Sequence, residues 1–191
     1  MARIIENPKQ LILDNAKNIL YSEGYSNLSI RNVAKASGLA VGTIYNYYPT
    51  KKDLVIEMMI EYWGECFKAL EIILNSKTNL YDKLFKIFNE LNMFISTFKE
   101  VWLKANKADN TDNPNSGLEK ENLHMENHIE KLIRTVEELL IEESAKSNSE
   151  ITIKMDTYEL AKFIVMNFIT MIQMQMFKYA SFENILKQLL E

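Results

Sequence analysis

The chain contains one cysteine, Cys66, so neither an intrachain disulfide nor a cysteine zinc cluster can form. Glycine (5) and proline (3) are scarce among the 191 residues. So few chain-breakers disfavour a sandwich or barrel of many short strands and favour long helices with few connections. A bilayer-spanning run is also missing. The most apolar stretch, Phe163 to Phe177, is interrupted by Asn167, Thr170, Gln173 and Gln175. The opening MARIIENPKQ lacks the apolar core of a signal peptide, which makes the cytoplasm the expected compartment. No Gly-rich phosphate loop, nucleophile elbow, HExxH or CxxC pattern occurs, so no enzyme, catalytic residue or cofactor is expected. What remains is 47% hydrophobic and 25% charged, the balance of a folded globular chain.

The net charge of −4 argues against a polyanion partner for the chain as a whole. Its distribution does not. Residues 1–53 carry Arg3, Lys9, Lys17, Arg31, Lys35, Lys51 and Lys52 against Glu6, Asp14, Glu23 and Asp53, net +3, and the remainder is net −7. A cationic head on an anionic body keeps polyanion binding open for the head alone.

Apolar spacing near 3.6 predicts helices throughout, an all-α chain. Asn7-Pro8 reads as an N-cap with proline in the first turn, opening a helix over 8–23 that stops at Gly24. Ser29 caps a short second helix that ends at Ser37-Gly38. A third runs from after Leu39 to about Tyr48, before Pro49. Thr50 and Asp53 form a capping box for a long helix to about Leu74. Further helices are expected from Tyr81 to about Ala105, Leu118 to about Ala145, Asp156 to about Tyr179, and Ser181 to Leu190. Asn106–Gly117 reads as a loop.

The second and third helices, joined by a tight turn at Gly38, carry the punctuation of a helix-turn-helix. Such a unit lays one helix in the major groove while the preceding helix spans the phosphates. A helical wheel places Val41, Ile44, Tyr45 and Tyr48 on one arc of the third helix, a core face. Gly42, Thr43, Asn46 and Tyr47 lie on the other, suited to base edges and phosphate oxygens. Lys51 and Lys52 stand in the first turn of the fourth helix, either as solvated cations or as phosphate contacts.

The stretch LILDNAKNILYSEGYSNLSIRNVAKASGLAVGTIYNYYPTKKDLV resembles the amino-terminal domain of the tetracycline-repressor (TetR/AcrR) family. The matching elements are Ala16, Glu23-Gly24-Tyr25, Ser29-Ile30-Arg31, Val33-Ala34, Ala36, Gly38, Gly42-Thr43, Tyr45, Tyr48-Pro49, Lys51 and Leu54. The resemblance implies a homodimeric transcription factor with each third helix in one half of a palindromic operator. Residues 1–49 would then be a helix-turn-helix DNA-binding domain, joined by a long helix to an effector-binding and dimerisation domain in residues 50–191. Carried over by position, Arg31, Val41, Thr43 and Asn46 would face bases, and Ser29, Gly42, Tyr45, Tyr47 and Lys51 would lie against the DNA backbone. Two positions depart from the family: Ala40-Val41, where polar residues are common, and Tyr47, where histidine is common. For Val41 the wheel and the resemblance disagree, inward against base-facing.

In the body, methionines and aromatic rings suit either an ordinary core or an adaptable pocket for an apolar or aromatic effector. Trp63, Phe67, Phe98 and Trp102 are the candidates for lining such a pocket. His124 and His128, four apart with Glu121 one turn earlier, could offer two imidazoles to a metal or form an exposed helical face; no metal site is expected. Cys66 reads as a small buried hydrophobe. The Asp156–Tyr179 helix is apolar nearly all round and must be covered on every side. It and the Leu118–Ala145 helix are expected to pair with their mates as a four-helix bundle, the alternative being a central helix of a monomer. Two other readings stay open: an all-helical enzyme or small-molecule-binding protein without DNA function, and a dimeric adaptor that has lost DNA contacts.

Overall fold

In the computed structural model the described residues are 6–108, 118–147 and 151–190, except for the side chains of 97 and 99–125. They form helices and no strand, in the order α1 (Pro8–Glu23), α2 (Ile30–Ser37), α3 (Val41–Tyr47), α4 (Lys51–Leu74), α5 (Leu80–Ala108), α6 (Leu118–Ser144), α7 (Thr157–Met174) and α8 (Tyr179–Leu190). The expected all-α class is therefore the observed one.

Local chemistry explains most boundaries. The Asn7 side chain accepts from the Gln10 amide at 3.2 Å and Pro8 begins α1. Ser29 Oγ accepts from the Asn32 amide at 3.1 Å to start α2. Gly38, at φ +65°, ends α2 with its N–H turned back to Ala34 and Lys35, a left-handed conformation that a side chain would strain. At α4 the capping box is reciprocal: the Asp53 amide donates to Thr50 Oγ1 at 3.1 Å, and the Thr50 amide to Asp53 Oδ2 at 2.9 Å. Asp156 accepts from the Glu159 amide at 3.0 Å and opens α7.

Three boundaries differ. α7 stops at Met174, not Tyr179, because Gln175 turns left-handed (φ 52°) and its N–H closes on Met171 O. α8 accordingly starts at Tyr179, before Ser181. The expected loop over 106–117 falls on residues 109–117 outside the described chain, and 106–108 belong to α5.

The chain packs as two compact units, Met1–Gly64 with Thr97–Asp112, and Glu65–Ser96 with Asn113–Glu191. The cuts fall inside α4 and α5. In the first unit α1, α2 and α3 bury Ile12, Ala16, Val33, Ala34 and Ile44 with Leu28 of the α1–α2 connection and Leu54 and Met58 of α4. Lys9 pairs with Glu57 at 2.6 Å and Lys17 with Glu61 at 3.1 Å, while Gln10 also donates to Glu61. These contacts revise the charge argument. Two cations of the net +3 head are held by α4 carboxylates, and residues 1–64 together come to +1.

In the second unit α6 packs on α7, burying Leu132, Val136, Leu140, Ile164, Val165 and Phe168. Phe168 meets Phe88 and Phe182 edge-on, with centroids 5.4 and 5.5 Å apart. The Thr152 amide donates to Leu190 O at 2.7 Å, tying the segment before α7 to the end of α8. No helix among the described residues is long and apolar enough to cross a membrane.

Candidate nucleic-acid interface

The α2–Gly38–α3 segment, with Ser29 before it and Lys51 after it, holds the predicted interface residues, and burial decides which face of α3 is outward. Ile44 is 0% and Tyr48 2% exposed, so these two anchor the helix. Val41 (38%), Tyr45 (49%) and Tyr47 (42%) are exposed, together with Gly42 and Asn46, while Thr43 is half-buried. The wheel's inward placement of Val41 and Tyr45 is thus wrong. Only two residues, one turn apart, reach the core, because a seven-residue helix capped by Ala40 and Tyr48 has little more than one turn to bury. Val41 therefore points outward, as the family position implies.

Gly42 has a helical φ, and a Cβ built there would meet no atom within 4 Å. Neither backbone conformation nor packing requires glycine at this position. In a helix glycine costs roughly 0.5–1 kcal/mol relative to alanine.

Arg31 is exposed on the first turn of α2, next to the capping Ser29, and Lys35 is exposed in the last turn. Lys51 is half-buried. Its Nζ lies 3.7 Å above the Tyr25 ring and donates to Tyr25 O at 3.4 Å. The ring thereby fixes the ammonium at the α4 N-terminus. The sequence named Tyr25 as a family match but carried no signal for this contact, since 26 residues separate the pair.

The pocket candidates do not fall in one compact unit. Trp63 and Phe98 are buried in the first, where Phe98 meets Tyr62 edge-on at 5.2 Å. Phe67 is half-buried in the second, with Lys131 Nζ 4.2 Å above its ring and the His128 ring 6.0 Å away. The Trp102 and His124 side chains lie outside the described residues. Among the described residues no group of three metal-ligating side chains assembles.

Residues 12–58 match the sequence pattern described as "Bacterial regulatory proteins, tetR family". Over those residues, about a quarter of the chain, the sequence is similar to that family. The matched span takes in α1 through the first turns of α4, the region whose caps and outward α3 face are described above.

The fatty acid metabolism regulator protein of Bacillus subtilis is 31% identical over 80 residues, 41% of this chain and 41% of that protein. This chain thus matches about two fifths of that curated relative's length. Over the whole fold, a transcriptional regulator from Cytophaga hutchinsonii superposes with a TM-score of 0.70 at 17% identity, covering 96% of this chain and 93% of that one. The Bacillus subtilis regulator FadR, solved with stearoyl-CoA, superposes at 0.60 with 19% identity, covering 96% and 98%. These relatives are transcriptional regulators, not enzymes.

Proposed function

We propose that this chain is a TetR-family regulator: a homodimeric, DNA-binding transcriptional repressor, acting in the cytoplasm and released from a palindromic operator by a small apolar or aromatic ligand. One observation carries the DNA reading. α3 buries Ile44 and Tyr48 and turns Val41, Gly42, Tyr45, Asn46 and Tyr47 to solvent inside the segment that matches the family. In this reading Arg31, Val41, Thr43 and Asn46 face base edges. Ser29, Gly42, Tyr45, Tyr47 and Lys51 lie against phosphates, and Tyr25 holds the Lys51 ammonium in place. Residues 1–49 serve DNA binding, and 50–191 serve effector binding and dimerisation.

Dimerisation is supported by α7. Its exposed side carries Phe163, Met166 and Met174, an apolar stripe at helical spacing that a second copy would cover. α6 and α7, already packed together, would meet their mates as a four-helix bundle. The stearoyl-CoA in the Bacillus subtilis relative supports an apolar effector and makes a long-chain acyl-CoA the first ligand to test. A ligand releases DNA only if it binds more tightly to the conformation that misfits the operator.

The test is a gel-shift titration of the purified chain on palindromes upstream of its own and neighbouring genes, at several salt concentrations with and without long-chain acyl-CoA. The expected result is salt-sensitive binding by a dimer, weakened by the acyl-CoA. A chain that is monomeric by sedimentation at working concentration, or that binds none of these duplexes, overturns the proposal.

A further inference from the structure

From Leu39 to Thr50 the chain contains no Lys, Arg, His, Asp or Glu, so the whole of α3 and both its flanks are uncharged. The outward face combines two methyl groups (Val41), bare backbone (Gly42), a carboxamide (Asn46) and two phenols (Tyr45 and Tyr47), with the Thr43 hydroxyl half-buried beside them.

That inventory is selective. In the major groove guanine presents two acceptors, O6 and N7, whose strong partner is a forked guanidinium or an ammonium. α3 has neither. Adenine presents an acceptor and a donor, N7 and N6–H, which the Asn46 carboxamide matches with its own donor and acceptor. Thymine presents a C5-methyl, an apolar contact for the Val41 methyls. The open space above Gly42 lets the helix backbone come close enough for these short side chains to reach base edges. On the neighbouring helix, Arg31 stands exposed in the first turn of α2.

Building on the DNA-binding reading above, we infer that α3 reads A·T base pairs, Asn46 taking an adenine and Val41 a thymine methyl. Guanine recognition in each half-site is then left to the exposed cations of α2, the forked Arg31 guanidinium being a stronger partner than the Lys35 ammonium. The operator is A·T-rich beneath α3, with guanine offset toward α2.

In vitro selection of random duplexes with the full-length chain tests this. The expected half-site has A·T pairs at the positions that respond to Asn46→Ala and Val41→Ala, and a guanine whose preference disappears in Arg31→Ala. Asn46→Ala is expected to weaken the selected site roughly ten- to a hundredfold while leaving a duplex with G·C at that position unchanged.

Two probes need no protein variant. Replacing the selected thymine by deoxyuridine removes only its methyl, and replacing the adenine by 7-deazaadenine removes only the N7 acceptor. Each is expected to weaken wild-type binding, and deoxyuridine is expected to have no effect on Val41→Ala. Enrichment of G·C at these positions, or wild-type indifference to both analogues with binding otherwise intact, overturns this inference alone. Failure to enrich any duplex, with no salt-sensitive binding, overturns the DNA reading and this inference with it.

Discussion

Lys83 on α5 and Glu143 on α6 face each other at 2.9 Å with both side chains buried, an ion pair inside the second compact unit. Lys146, just past the end of α6, donates to the other Glu143 oxygen. Burial pushes the Glu143 carboxyl up, but the hydrogen bonds and charges of Lys146 and Lys83 outweigh that, and its pKa lies below the usual carboxylate value. A carboxylate held low when folded adds stability that is present above its unfolded pKa, about 4.3. That stability is lost as pH falls through the lower folded value. Urea unfolding from neutral to acid pH is expected to show this loss in the wild type and less of it in Glu143→Gln. Lys83→Met is expected to destabilise at neutral pH by less than the roughly 3–5 kcal/mol of a wholly orphaned buried charge, because Lys146 still reaches the carboxylate.

Tyr48 anchors α3, yet its buried hydroxyl makes no hydrogen bond. Burial, with the Glu57 and Glu61 carboxylates nearby, pushes the phenol well above its ordinary pKa and keeps it protonated. An unpaired buried hydroxyl costs about 1–3 kcal/mol. Tyr48→Phe keeps the ring and removes that cost, so its thermal midpoint is expected to rise with DNA binding retained. A fall in the midpoint would show that the hydroxyl has a partner.

Gly42→Ala separates fold from function. No atom within 4 Å opposes the added methyl and the backbone is helical, so the variant is expected to fold with equal or higher stability, by up to about 1 kcal/mol. Its operator affinity is expected to fall, since the methyl stands where DNA would approach. Circular dichroism melts and gel shifts on the same preparation check both halves.

Cys66 is buried, and burial together with the Glu90 carboxylate pushes its thiol up to about 11. At pH 8 only about one thiol in a thousand is then ionised. A disulfide reagent is expected to label the native chain no faster than it unfolds, and to label one thiol per chain in urea. Rapid native labelling at pH 8 would contradict the burial.

The helix starts at Pro8, Ile30, Lys51 and Thr157 were legible because each is set by a side chain three residues or fewer from the amide it caps. The α7 end was not. No glycine or proline marks Gln175, and the apolar residues on either side of it read as one helix through to Tyr179. The outward Val41 agrees with the position implied by the resemblance, whereas the wheel misassigned Val41 and Tyr45. The two burials on α3 depend on what α1, α2 and α4 leave uncovered, which a periodicity within α3 does not contain.

The amino-acid order alone determined the helices, their caps and the uncharged chemistry of α3, because these depend on residues within a turn or two of each other. Only the tertiary structure decided which face of α3 is outward, that Glu57 and Glu61 take Lys9 and Lys17, and that Lys83 meets Glu143. Lys9–Glu57 and Lys83–Glu143 join residues 48 and 60 positions apart. Their partners are selected by how helices pack, and packing answers to the whole set of apolar faces at once.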